Sequence, residues 1–130
     1  MVNLREEKIQ RVANYIPEQS IFGESTGDLL IVSWGGTLGA VQNAVEEVQK
    51  EGKKISLAHF NYIMPLPKNT SEIFKGFKKI MVCELNSGQF VNYLRMKKPE
   101  FQYLQYNKVQ GLPFAVSELQ HIFSQILNQN

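Results

Sequence analysis

The sequence predicts an α/β protein, an open and mostly parallel sheet covered by helices on both faces. Short β-rich runs, DLLIVS, KISLAHFNYI, KKIMVCEL and EFQYLQYN, alternate with amphipathic helical stretches, the pattern of strands joined by helical crossovers. The links between them are punctuated by glycine or proline, as in SWGGT, MPLPKN and QGLPF. The length of 130 residues, 43% hydrophobic and 20% charged, suits one soluble domain with a single core.

Residues 1–18 form an N-terminal segment whose pattern from Leu4 to Ile16 is helical, set apart from the repeat by PEQSIFGESTGD. It suits an interface with another chain, and residues 19–130 make up the α/β domain. DLLIVS is the first strand of the repeat. AVQNAVEEVQKEG then places Ala40, Val41, Ala44, Val45 and Val48 on one helical face, with Glu46 four residues before Lys50 on the other and Gly52 as the stop. KISLAHFNYI is a second strand. After MPLPKN, Asn69 or Thr70 can cap a short helix carrying Ile73, Phe74 and Phe77. KKIMVCEL is the third strand. The helix after NSG buries Phe90, Val91 and Leu94, ends in the cationic RMKK that suits its carboxyl-end dipole, and stops at Pro99. EFQYLQYN alternates like a half-covered strand near an edge. In the last helix Ser117 and Gln120 fit a capping box, and Leu119, Ile122, Phe123, Ile126 and Leu127 form the buried stripe.

Composition removes several functions. A net charge of +2 spread along the chain is too small for a nucleic-acid footprint, so the Lys78-Lys79 and Lys97-Lys98 pairs read as solvated element ends. No apolar run approaches the roughly 20 residues that span a bilayer, and MVNLREEKIQRVANYI has no secretory apolar block, so the expected location is cytoplasmic. With one cysteine, Cys83, and two histidines, His59 and His121, no zinc-type ligand set can be assembled. Cys83 reads as an inert core thiol among apolar neighbours, and His121 as a surface histidine.

The run IVSWGGTLGAV places Gly35, Gly36, Thr37 and Gly39 between a strand and a helix, where helix amino termini can hold anions. The spacing G-G-x-x-G lacks the dinucleotide pattern, the next strand ends in His59-Phe60-Asn61 without an acid, and the lysine of a nucleoside-triphosphate loop is absent. A flavodoxin-like loop remains open as an alternative, with Ser33, Thr37 and backbone amides cradling a flavin phosphate. Otherwise the glycines only tighten the turn and let the helix approach the sheet, with Trp34 as its shield. Glu84 ends the third strand, where its carboxylate could accept local backbone N–H bonds, meet a partner, or act in acid–base catalysis. No second carboxylate, histidine or nucleophile converges on it from the sequence. In NKVQGLPF, Gly111 and Pro113 fix backbone angles and Phe114 offers an anchor.

The segments LIVSWGGTLGAVQNAVEEVQKEGKKI, PLPKN, FKKIMVCELNSGQFVNYL and NKVQGLPF resemble the carboxyl-terminal region of the alpha subunit of 2-oxoacid:ferredoxin oxidoreductases, most like the 2-oxoglutarate type, over roughly residues 20 to 127. The strongest parts are the strand-Trp-Gly turn, Glu84-x-Asn86-x-Gly88-Gln89, and Gln110-Gly111-x-Pro113-Phe114, with Leu112 standing where a basic residue is expected. The resemblance implies a fold like the transketolase carboxyl-terminal domain: a three-layer α/β/α sandwich whose five-stranded sheet is parallel except for an antiparallel first strand, for which SIFGES is the candidate.

The resemblance also implies a parent complex that uses thiamine diphosphate, magnesium, iron–sulfur clusters and coenzyme A to decarboxylate a 2-oxoacid oxidatively, passing electrons to ferredoxin. None of these cofactors is expected on this chain: one cysteine cannot hold a four-cysteine cluster, and no Gly-Asp-Gly run followed by asparagines is present for a magnesium diphosphate. The expectation is a non-catalytic assembly domain beside a thiamine-binding beta subunit, without catalytic residues of its own. The chain is expected to be either an excised domain or a short subunit, and its start close to the domain edge favours the first. Glu84, Asn86, Gly88, Gln89 and Phe90, with Gln110, Gly111, Pro113 and Phe114, are its candidate interface residues, apolar anchors inside a polar rim. A homodimer is open to the isolated chain, as is independent turnover through Glu84.

Overall fold

The computed structural model describes residues 17–34, 38–61, 66–84, 89–107 and 114–128. Strands β1 (Gly27–Trp34), β2 (Ile55–Phe60), β3 (Phe77–Glu84) and β4 (Tyr103–Asn107) alternate with helices α1 (Leu38–Lys50), α2 (Thr70–Lys75), α3 (Gln89–Lys97) and α4 (Val116–Asn128). The sheet order is β2-β1-β3-β4 and every pairing between these strands is parallel.

Alternation along the two central strands sorts the layers. Leu29 and Ile31 of β1 and Met81 and Cys83 of β3 face one way, into a cluster with Val41, Ala44, Val45 and Val48 of α1 and Leu119 and Phe123 of α4. Leu30, Val32, Ile80 and Val82 face the other way, onto Ile73 and Phe74 of α2 and Phe90, Val91 and Leu94 of α3. Because both faces are covered, β1 and β3 are nearly continuous apolar runs instead of alternating ones. The second layer is aromatic: Phe60 lies 5.6 Å edge-on from Phe90 and 6.3 Å from Phe74. Full burial of each such ring contributes roughly 1.5–3 kcal/mol.

SIFGES forms less than a strand among the described residues. Phe22 makes one antiparallel bridge to Leu57, its N–H donating at 2.8 Å and its carbonyl accepting at 3.1 Å. The direction is the one implied, but Gly23 at φ 119° turns the chain away at once. Any larger residue there would also put its Cβ 2.6 Å from the Gln49 amide and 2.7 Å from the Ser56 hydroxyl. The described sheet therefore has four strands with a single-residue addition on the β2 edge.

Three local expectations change. Asn69 occupies the cap position of α2 but makes no side-chain cap bond. Its amide instead clasps the Gln19 backbone, accepting from N–H at 2.7 Å and donating to the carbonyl at 2.9 Å, while Thr70 Oγ1 donates to the Pro67 carbonyl at 2.7 Å. Phe77 opens β3 instead of extending the helix, because Gly76 intervenes with its Cα beside the Ser25 carbonyl, 2.5 Å from where a Cβ would stand. The box at the start of α4 lies two residues earlier than Ser117 and Gln120: Glu118 Oε1 accepts the Ala115 N–H at 2.9 Å. Alanine at the cap can return no bond, so half the box is present. Gln120 reaches Glu51 at 3.3 Å instead.

Gly39 also departs from expectation. It is exposed in the first turn of α1, and an added Cβ would meet nothing within 4 Å, so helix-to-sheet packing does not require glycine there. Gly35, Gly36 and Thr37 lie outside the described residues, as do Leu4 to Ile16.

Candidate functional site

The chain leaves β1 toward β2 on one side while β3 lies on the other, so the carboxyl ends of β1 and β3 flank the topological switch point, the usual ligand position of such sheets. Trp34 and Glu84 are the residues that end these strands. Glu84 is 1% exposed. Its Oε1 accepts the Phe90 N–H at 2.8 Å and the Trp34 indole N–H at 3.3 Å, and its Oε2 accepts the Val91 N–H at 3.0 Å.

Phe90 and Val91 are in the first turn of α3, where N–H groups have no partner within the helix and the helix dipole favours a negative charge. Strand β3 therefore caps the helix that follows it with its own last side chain, and the Trp34 ring closes over the contact at 5.8 Å from Phe90. The charge is satisfied inside the fold. A carboxylate with this burial and these donors is a positioning group and is not presented to a substrate or to a partner surface.

The same geometry relocates other candidates. Phe90 is 1% and Phe114 6% exposed, both inside this chain's own core, so neither is available as an interface anchor. Gln89 is exposed beside them. Asn86, Gly88, Gln110, Gly111 and Pro113 lie outside the described residues. Ser33 is fully buried, and its hydroxyl is bonded to His59 Nδ1 at 2.7 Å, so it is not held open for an anion. These two residues are partners in the β1–β2 register. Each stands one residue before the end of its strand, an offset that the strand ends read from the sequence do not show. Cys83 is buried, and its thiol is pushed well above the usual range by burial first and by the neighbouring Glu84 charge second, which leaves it unreactive.

Asn107 is a site residue that sequence reasoning missed. It ends β4 directly opposite Glu84 in the β3–β4 register, and its Oδ1 is a buried acceptor without a hydrogen-bond partner among the described residues. An unanswered buried polar atom costs roughly 1–3 kcal/mol. One residue earlier, Tyr106 donates from its hydroxyl to Glu118 Oε2 at 2.6 Å and stacks on Phe114 at 5.8 Å. That bond, with lesser help from burial, pushes the Tyr106 hydroxyl up to about 12.

Among the described residues, no group of three His, Cys, Asp or Glu side chains could hold a metal ion, and no helix is long and apolar enough to cross a membrane. The arrangement is thus a carboxyl-end face with an internally bonded carboxylate, a buried Ser–His pair and a buried acceptor that no described residue satisfies.

Comparison with known proteins places this architecture. The chain is 33% identical over 92% of its length to the 2-oxoglutarate oxidoreductase subunit KorA of Mycobacterium tuberculosis, covering 18% of that protein. It is 30% identical to the 2-oxoacid:ferredoxin oxidoreductase alpha subunit of Saccharolobus solfataricus, covering 20% of it. It therefore spans about a fifth of the length of these relatives. In fold, it is similar to the 2-oxoglutarate:ferredoxin oxidoreductase of Magnetococcus marinus, with a TM-score of 0.85 at 24% identity over 92% of this chain and 21% of that one. A split-gene transketolase shares the architecture at a TM-score of 0.64 and 12% identity, over 85% of this chain and 41% of that one. Residues 27–122, from the first strand into the last helix, match the family described as pyruvate:ferredoxin oxidoreductase core domain II, and the chain belongs to that family.

Proposed function

We propose that the chain is a non-catalytic assembly domain of the alpha subunit of a thiamine-diphosphate-dependent 2-oxoacid:ferredoxin oxidoreductase of the 2-oxoglutarate type, working in the cytoplasm. The observation that carries the reading is the family match over residues 27–122, supported by relatives about five times longer, one of them named as an alpha subunit, of which this chain matches only a part. The whole enzyme would convert a 2-oxoacid to an acyl-CoA and reduce ferredoxin, with a beta subunit binding thiamine diphosphate.

The donors on this chain fit that division of labour. Its single cysteine is buried and unreactive, which does not suit an iron–sulfur cluster. The carboxylate nearest the switch point is bonded to a helix terminus and not held open for magnesium, which supports the reading that thiamine diphosphate, magnesium, the iron–sulfur cluster and coenzyme A are held elsewhere in the complex. Among the described residues the carboxyl-end face holds no donor for the buried Asn107 Oδ1, and in this reading a neighbouring domain supplies one by displacing what covers that atom in the isolated chain. The flavin alternative draws on Gly35 to Thr37, outside the described residues, and loses the Ser33 hydroxyl to His59.

Supplying the chain to an alpha subunit deleted of the matching region, together with the beta subunit, tests the proposal. Retention of the chain through native co-purification is the expected result. A chain that elutes alone, or that takes up a flavin nucleotide on titration, overturns it.

A further inference from the structure

A second surface lies at the opposite end of β3, away from the carboxyl-end face. Strand β3 begins at Phe77, but β4 pairs with it only from Ile80 onward. The missing length leaves a notch in the sheet edge, a cavity of about 610 Å³. Lys78, Lys79 and Arg95 line it beside Tyr103 and Leu104, and among the described residues no acidic one does.

The cations at the notch are held in place by their neighbours. Arg95 donates to the Tyr103 carbonyl at 3.4 Å and to Asn92 Oδ1 at 3.2 Å, both neutral acceptors, and Lys79 donates to the Ile126 carbonyl at 3.2 Å. Lys78, with 82% of its side chain exposed, meets Asp28 at 3.4 Å, a surface pair of the kind that contributes little.

Beside the notch runs β4, the edge of the described sheet. Edge strands are normally protected by charge, proline or a bulge. Strand β4, YLQYN, has no charge and no proline, and its Leu104 is 41% exposed. An edge with no described strand beyond it offers main-chain hydrogen bonds to an incoming strand, and neighbouring like charges select what that strand carries.

We infer that β4 and its notch form a docking edge for an extended, acidic segment of another protein, which adds to the sheet along Tyr103–Asn107 and directs carboxylates at Lys78 and Arg95. The inference does not depend on the identity of the parent enzyme, since it rests on the edge and its charge alone.

Titrating isotope-labelled protein with a capped nine-residue peptide of alternating glutamate and valine tests it. The expected result is shift changes and slowed amide exchange at Tyr103–Asn107 and Lys78–Ile80, with affinity falling about tenfold between low and physiological salt. The same peptide with lysine for glutamate binds at least about tenfold more weakly. Combined Lys78→Glu and Arg95→Glu abolishes the response, and Lys78→Glu alone, at an exposed site, weakens it if the pair fails to fold. No response along β4, equal binding of the lysine peptide, or pairing of β4 with a second copy of this chain in place of the peptide would each overturn the inference.

Discussion

The two ends of β3 carry charge in opposite ways. At its carboxyl end Glu84 is buried, accepts hydrogen bonds from two backbone amides and an indole, and organises the start of α3. At its amino end Lys78 is almost wholly exposed and its ion pair with Asp28 is a surface contact. Charge at a strand end is therefore not one kind of feature. A carboxylate followed by a helix can be absorbed into the fold by that helix's free N–H groups, whereas a lysine beside a shortened neighbouring strand remains available to something outside.

Substitutions can break this contrast. Glu84→Ala leaves the Phe90 and Val91 N–H groups without an acceptor in a buried place, and is expected to destabilise the chain by about 3 kcal/mol. Urea unfolding would show this as a lower midpoint at unchanged slope; a loss below about 0.5 kcal/mol would mean that the carboxylate is dispensable. Trp34→Phe keeps the ring against Phe90 but removes the indole donor to Glu84, and a loss of about 1 kcal/mol is expected from the same measurement.

Tyr106 tests a milder case at the same end of the sheet. Its hydroxyl is raised from the ordinary 10 to about 12 by its bond to Glu118. The folded state thus favours the protonated form, so the associated stability is fully present below pH 10 and disappears as pH rises from 10 to about 12. The stability difference between wild type and Tyr106→Phe should be constant below that window and shrink across it; a difference that stays flat would discount the hydrogen bond. Smallest of all, Lys78→Ala should shift folding stability by less than about 0.5 kcal/mol. A loss approaching that expected for Glu84→Ala, about 3 kcal/mol, would show that the fold depends on charge at the amino end of β3 no less than at the carboxyl end.

Much of the architecture was legible because burial on both faces writes itself into composition. The runs in β1 and β3 had to be strands between two layers, and the spacing of Phe90, Val91 and Leu94 named the inward face of α3, the three residues buried there. Caps were less legible, since they depend on a backbone frame that one or two residues can shift: Ser117 and Gln120 fit the pattern, but Glu118 makes the bond. Glu84 was visible as a strand-ending acid, but nothing local distinguished an inward carboxylate from an outward one. Phe90 and Phe114 pass for anchors in the sequence because an aromatic beside a loop can face either way, and here the core takes both. The Ser33–His59 pair and the buried Asn107 acceptor arise from register between strands, which sequence spacing does not state.

Asn107→Leu is the most direct test of the claim that the carboxyl-end face is completed by a neighbouring protein. Removing a buried acceptor that no described residue satisfies should leave the isolated chain unchanged or up to about 1 kcal/mol more stable. The same substitution should weaken retention of the chain by the rest of the oxidoreductase in native co-purification. A variant that is destabilised alone, or one that assembles as well as the wild type, would contradict the account.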